Sequence, residues 1–228
     1  RSAAPDSPTH ARRGEARPFD AILFSSFGGP DGQEDVIPFL RNVTRGRGIP
    51  DDRLEAVAGH YRANGGVSPI NAQNRALLGA LEQELRERGI DTPITWANRN
   101  WEPYVADVLQ SLHDQGSRRV LVLATSAFSG YSSCRQYRED WGVALEQTGL
   151  GEQMVVGKIR QYFDMAGFLE PFVDGLREAL LQRAERGPLR ILFAAHSVPD
   201  TDALAAGPET MREGFATGSA YADQLLAA

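Results

Sequence analysis

Arg190-Ile-Leu-Phe-Ala-Ala-His196-Ser-Val-Pro199 sets five apolar residues in a row in front of a histidine. Such a run is what a strand needs when helices cover both faces of a parallel sheet, so it reads as a buried strand. His196 then stands at the strand's carboxyl end, the edge where open α/β sheets bind ligands. A core histidine satisfied by a backbone carbonyl is the plainer reading, because imidazole pairs easily. Its position just before a Gly/Pro-interrupted loop, residues 200–207, favours a crevice instead.

Outward from this stretch, apolar runs alternate with helical periodicity. Strands are expected at Phe19-Asp-Ala-Ile-Leu-Phe-Ser-Ser-Phe27, Ile94-Thr-Trp-Ala97, Arg119-Val-Leu-Val-Leu-Ala124 and residues 154–159, with helices near 33–43, 51–64, 69–85, 103–115, 134–147 and 167–186. Strands alternating with helices predict the α/β class, a parallel sheet with right-handed crossovers, and polar loops gathered along one edge.

Those loops are chemically rich. Gly28-Gly-Pro-Asp-Gly32 can turn a strand into a helix N-terminus beside an anion, but it lacks the Lys-Ser/Thr of a phosphate loop and the spacing of a dinucleotide fingerprint. Arg45 and Arg47 sit on a loop that is either a solvated turn or a carboxylate or phosphate clamp. Ser68, ahead of Pro69, either caps the next helix or presents its hydroxyl with the Asn71 amide. Asn98-Arg-Asn-Trp-Glu-Pro-Tyr104 and the hydroxyl-rich residues 125–137 each follow a strand tip and carry more polar and aromatic groups than a turn requires.

Composition narrows the class. With 228 residues, 42% of them hydrophobic, the chain can fill one α/β domain and part of another. A net charge of −6 and a pI near 5.3 argue against nucleic acid or an anionic membrane as partner. Cys134 is the single cysteine, so no internal disulfide forms. No apolar run is long enough for a transmembrane helix and the start lacks a signal-peptide core, so a cytoplasmic protein is expected. Residues 1–18 have almost nothing to bury and read as a disordered tail, while residues 218–228 read as a helix that stops without a cap. Both ends are expected to be cut or processed.

Six segments together resemble one family. Ser26-Phe-Gly-Gly-Pro30, Asn42-Val-Thr-Arg-Gly-Arg-Gly48, Gly65-Gly-Val-Ser-Pro-Ile-Asn71, Asn98-Arg-Asn-Trp-Glu-Pro-Tyr104, Ser132-Ser-Cys-Arg-Gln-Tyr137 and Ala195-His196-Ser197 stand in the order of the ferrochelatases, most like the actinobacterial branch that inserts ferrous iron into coproporphyrin III. The resemblance implies two Rossmann-like parallel-sheet domains of the chelatase type with the porphyrin between them. On this reading residues 19–149 are the first domain and residues 150–228 the opening of an incomplete second one.

It also implies roles. His196 matches the catalytic, metal-binding histidine, and Ser68 and Tyr137 match positions that line the porphyrin. The family's facing glutamate lies beyond the end of this chain. Phe27 stands where some relatives have tyrosine, which rules out a tyrosinate ligand from that position. Cys134 alone cannot hold the [2Fe-2S] cluster of some members, so no cluster is expected. Fe²⁺ is then the substrate metal, coproporphyrin III the small-molecule partner, and a monomer the expected state at full length.

The residue types suit that chemistry. Metallation strips water from Fe²⁺ and removes two pyrrole protons, which needs an imidazole neutral near pH 7. Bending the macrocycle needs walls and propionate anchors. Phe27, Trp101, Phe128 and Tyr137 are the expected walls; Ser68, Arg45, Arg47, Arg99 and Arg135 are the expected donors, the arginines by charge alone. Two rivals remain: a truncated, non-catalytic tetrapyrrole-binding fragment, and a flavodoxin-like anion-binding domain using the Gly28 loop.

Overall fold

The computed structural model of the chain describes residues 18–183, 187–204, 206, 214 and 217–228. Nearly all of the expected tail and the last residues expected of the 167–186 helix, 184–186, lie outside them.

Four strands, β1 (Ala21–Ser26), β2 (Ile94–Asn98), β3 (Arg119–Ala124) and β4 (Val155–Lys158), form one parallel sheet in the order β2-β1-β3-β4. The register pairs Ile22 with Ile94 on one side and with Leu121 on the other, so the apolar run of β1 is central. This is the expected mixed α/β architecture.

Helices cross between the strands as the sequence predicts. They are α1 (Val36–Val43), α2 (Asp51–Ala63), α3 (Ile70–Glu87), α4 (Val105–Asp114), α5 (Gln136–Thr148) and α6 (Ala166–Arg183), followed by α7 (Asp200–Leu204) and α8 (Ala220–Ala227). The α4 pattern shows why. Val105, Leu109 and Leu112 recur at helical spacing on one buried face and pack on Leu23, Val120 and Val122 of the sheet. Tyr137, Trp141 and Ala144 of α5 complete the same core. A second cluster joins α1 and α2 through Phe39, Leu40, Leu54 and Ala58.

Two expected helix starts are displaced by tighter or wider turns. A 3₁₀ turn, Gln33–Asp35, precedes α1, and a π-helical turn, Tyr131–Arg135, precedes α5. Gly149 closes α5 in the left-handed conformation, φ +68°. The sheet runs on past it: β4 pairs with β3, Arg119 opposite Val155, so the residues just after the expected division extend the first sheet.

The main correction concerns residues 190–195. They form no strand, and residues 189–199 carry neither helix nor strand. Leu192 is 84% and Phe193 92% exposed. An apolar run becomes a strand only when neighbouring strands take up its amides and carbonyls, and among the described residues no strand pairs with this one. Past His196 the chain forms the short helix α7, which lies against the π-helical turn.

Candidate functional site

The loops leaving β1, β2 and β3 meet at the carboxyl edge of the sheet. The β1 loop starts with Phe27, then Gly28 at φ +81°; a Cβ on Gly28 would stand 2.9 Å from Asn98 Cβ and 3.1 Å from Trp101 Cβ. A Cβ on Gly29 would fall 2.6 Å from Ser68 Cβ. The paired glycines therefore let the β1 loop press onto both the β2 loop and the Ser68 turn. Backbone bonds fasten these contacts: Arg99 N–H donates to Ser26 O (3.0 Å), Asn100 N–H to Phe27 O (3.2 Å) and Ser68 N–H to Pro30 O (2.8 Å).

Beneath the loops lies a buried amide network that the sequence did not disclose. Asn74 Nδ2 donates to Ser26 Oγ (2.6 Å), Asn71 Nδ2 to Gly29 O (2.7 Å) and Asp31 Oδ2 (3.0 Å), and Asn98 Nδ2 to Glu102 O (2.9 Å). Ser26 and Asn98 close apolar strands, and Asn71 and Asn74 stand three apart on one face of α3. The network holds the turn from β1 rigidly, which fixes where Phe27 and Ser68 stand.

Tyr137, on the first turn of α5, is 4% exposed, and its hydroxyl lies 3.3 Å from Thr125 Oγ1. Burial pushes its phenol above the ordinary value, while the Thr125 hydroxyl and then Arg99 oppose that shift. Tyr137 is therefore a neutral phenol near neutral pH. The Arg99 guanidinium lies 4.7 Å from the Tyr137 ring centre and 5.8 Å from that of Phe27, and its Nε pairs with Asp140. Asp140 lies three positions after Tyr137, on the same helical face.

Three of the four expected walls and Ser68 thus come together. Phe27 and Trp101 each meet Phe39 edge to face, at 6.2 and 6.3 Å. Phe128 belongs elsewhere: it packs among Phe163, Phe168 and Tyr221, and Gln224 of α8 bonds both Ser129 N (2.6 Å) and Ser129 Oγ (2.9 Å). Ser68 is half-buried and its Oγ accepts from Ile70 N–H at 3.4 Å, a local bond at the start of α3.

The expected cations divide. Arg45 is exposed and donates to Asn42 Oδ1 (2.8 Å), whose amide reaches Asn100 O (3.1 Å), so the Arg45–Arg47 loop adjoins the β2 loop. Arg135 pairs with Glu139. Arg99, with only 5% of its side chain exposed, pairs with Asp140.

His196 is exposed, with Nδ1 against the Ser197 carbonyl. No hydrogen bond or ring contact joins it to Ser68 or Tyr137, so the sheet-end crevice expected around it is not formed by these residues. Among the described residues no three His, Cys, Asp or Glu side chains converge as a metal site.

A cavity of about 860 Å³ lies between α5 and β4, away from Ser68 and Phe27, lined by Cys134, Arg138, Lys158 and Gln161 among others. Burial, with Arg138 adding to it and Cys134 opposing, holds the Lys158 amine below its ordinary value. Among the described residues no helix is long and apolar enough to cross a membrane.

The loops that converge here are the ones that carry the family resemblance. The Ferrochelatase family model matches residues 19–228. A coproporphyrin III ferrochelatase of Leifsonia xyli is 56% identical over 219 residues, covering 92% of this chain and 56% of that protein. Counterparts of the same name from Tropheryma whipplei and Streptomyces coelicolor are each 51% identical, with 54% and 57% of their lengths covered. The chain thus spans a little over half the length of these relatives. Over nearly all of its own length, it belongs to the ferrochelatase family.

Proposed function

We propose that this chain supplies the tetrapyrrole-binding loops and the metal-binding histidine of a coproporphyrin III ferrochelatase, which inserts ferrous iron into coproporphyrin III for heme synthesis in the cytoplasm. The observation that carries this is the meeting of Phe27, Ser68 and Trp101 at one sheet edge, with Tyr137 tied to Phe27 through Arg99, in a chain 56% identical to the Leifsonia xyli enzyme.

In this reading Phe27 and Trp101 give the macrocycle flat apolar walls. The Ser68 hydroxyl and the exposed Arg45–Arg47 loop take propionates, and four propionates on coproporphyrin give that loop more to hold than the two of protoporphyrin. His196 meets the Fe²⁺ substrate through a ring nitrogen or accepts a pyrrole proton once it faces the cleft. Tyr137, bonded to Thr125, shapes the wall.

The test is an anaerobic titration of the chain with coproporphyrin III and ferrous iron. Iron insertion changes the visible band pattern, and His196→Ala should abolish it while leaving the Soret shift of bound porphyrin intact. A Soret shift with the metal-free pattern retained supports tetrapyrrole binding without metallation. No shift, or tighter binding of protoporphyrin IX than of coproporphyrin III, overturns the reading.

A further inference from the structure

We infer that Arg99 is a positioning residue: it locks the rings of Tyr137 and Phe27 together as one wall, and this contact, not capture of a ligand carboxylate, is its role. The inference rests on the reading that Tyr137 and Phe27 border the tetrapyrrole cleft.

Charge alone would make Arg99 an anchor for an anion. The geometry spends that charge inside the protein. Its main chain is fixed to β1 through the bond from Arg99 N–H to Ser26 O (3.0 Å). At the edge of the guanidinium, Nε pairs with Asp140 and Nη1 reaches the Ser132 carbonyl at 3.4 Å. Its central carbon lies 4.7 Å from the Tyr137 ring centre and 5.8 Å from that of Phe27. With 5% of the side chain exposed, little is left for a ligand to reach.

A guanidinium is suited to this because its edge donates hydrogen bonds while its faces stack on rings. Here one side chain ties together three segments that no strand ladder joins: the loop after β1 through Phe27, the loop after β2 through its own backbone, and the start of α5 through Ser132, Tyr137 and Asp140. Lysine could keep the pair with Asp140 but has no planar face to set against the two rings. Stacking and charge are therefore separable by substitution.

The experiment uses Arg99→Met and Arg99→Lys in the whole 228-residue chain, each first checked for native circular dichroism. Tyr137 reactivity toward tetranitromethane is read by peptide mass spectrometry. Tyr137 should be protected in the parent chain and react about thirtyfold faster in both variants, the size expected for one desolvated cation–π contact. A lysine variant as protected as the parent means that charge alone suffices and overturns the stacking role; because that variant keeps the ion pair, it decides the matter even where Arg99→Met fails to fold.

The second readout is Soret titration with coproporphyrin III and with its tetramethyl ester in the same detergent. Arg99→Met should weaken both by about tenfold, since a displaced wall does not depend on propionates. The same substitution should cost less in a Tyr137→Leu background, where only the Phe27 contact is left for it to remove. A loss confined to the free acid means that Arg99 binds a carboxylate and overturns the inference. Should the parent chain bind neither porphyrin, the ligand reading fails, while the nitration result still decides whether Arg99 positions Tyr137.

Discussion

Ile22-Leu23-Phe24 and Ile191-Leu192-Phe193 are the same tripeptide with opposite fates. In β1, Leu23 is 0% and Phe24 1% exposed; in the second copy, Leu192 is 84% and Phe193 92% exposed. Composition and β-propensity are identical, so neither decides the outcome. What differs is the surroundings. β1 has β2 on one side, β3 on the other, and α4 and α5 over the Leu23 face. The second copy has no strand beside it among the described residues, and an unpaired strand gains no ladder bonds to offset the entropy of ordering it. An apolar run thus states a demand for neighbours.

The largest expected difference is in amide exchange. Amides of Ile22, Leu23 and Phe24 should exchange at least about a thousandfold more slowly than those of Ile191, Leu192 and Phe193, since central strands open only with the whole domain while unpaired segments open locally. Comparable protection of the two tripeptides, read by hydrogen–deuterium exchange at fragment resolution, would break the comparison and show that residues 190–195 pair after all.

Truncation gives a smaller but sharper contrast. Leu23→Ala removes packing against the α4 and α5 core and should cost about 2–5 kcal/mol of unfolding free energy. Leu192→Ala removes an exposed side chain and should stay within about 0.5 kcal/mol. Urea melts of the two variants check this. A Leu192→Ala cost close to that of Leu23→Ala would mean that the second copy is buried in solution.

Much of the fold was legible because local signals and long-range packing agree from β1 to α6. Glycine turns, helical periodicity and strand runs place these elements within a few residues, and even the clustering of polar loops follows from parallel connections. The failures all depend on partners distant in sequence. The strand status of residues 190–195 hangs on neighbours. The fate of Arg99 hangs on Asp140, 41 positions away. Phe128 was expected in the wall because of its loop, but α6 and α8 claim its ring. At the site, the resemblance pointed to Ser68 and residue type to Phe27 and Trp101, and the fold brings the three together; whether a charged or aromatic side chain faces the protein could be read only once the loops were folded.

The smallest effect concerns how β1 is anchored, and it too separates the two copies. Two residues before Ile22 stands Asp20, whose Oδ2 accepts the backbone N–H groups of Arg118 and Arg119, both at 2.7 Å, at the amino end of β3. The same place before Ile191 holds Leu189, which cannot accept a hydrogen bond. The bonds to Arg118 and Arg119 hold the Asp20 carboxyl below its ordinary value, with the two arginine charges assisting and desolvation opposing. A carboxylate whose folded pKa is depressed contributes stability that is present above its unfolded value, about 3.9, and lost as the pH falls through the folded value. Asp20→Asn keeps an oxygen to accept both bonds but removes the charge. The parent chain should therefore lose its margin over the Asn variant as the pH is taken from 6 to below about 3.9, and thermal melts across that range measure it. A margin that stays constant with pH would show that shape alone anchors the amino end of β1.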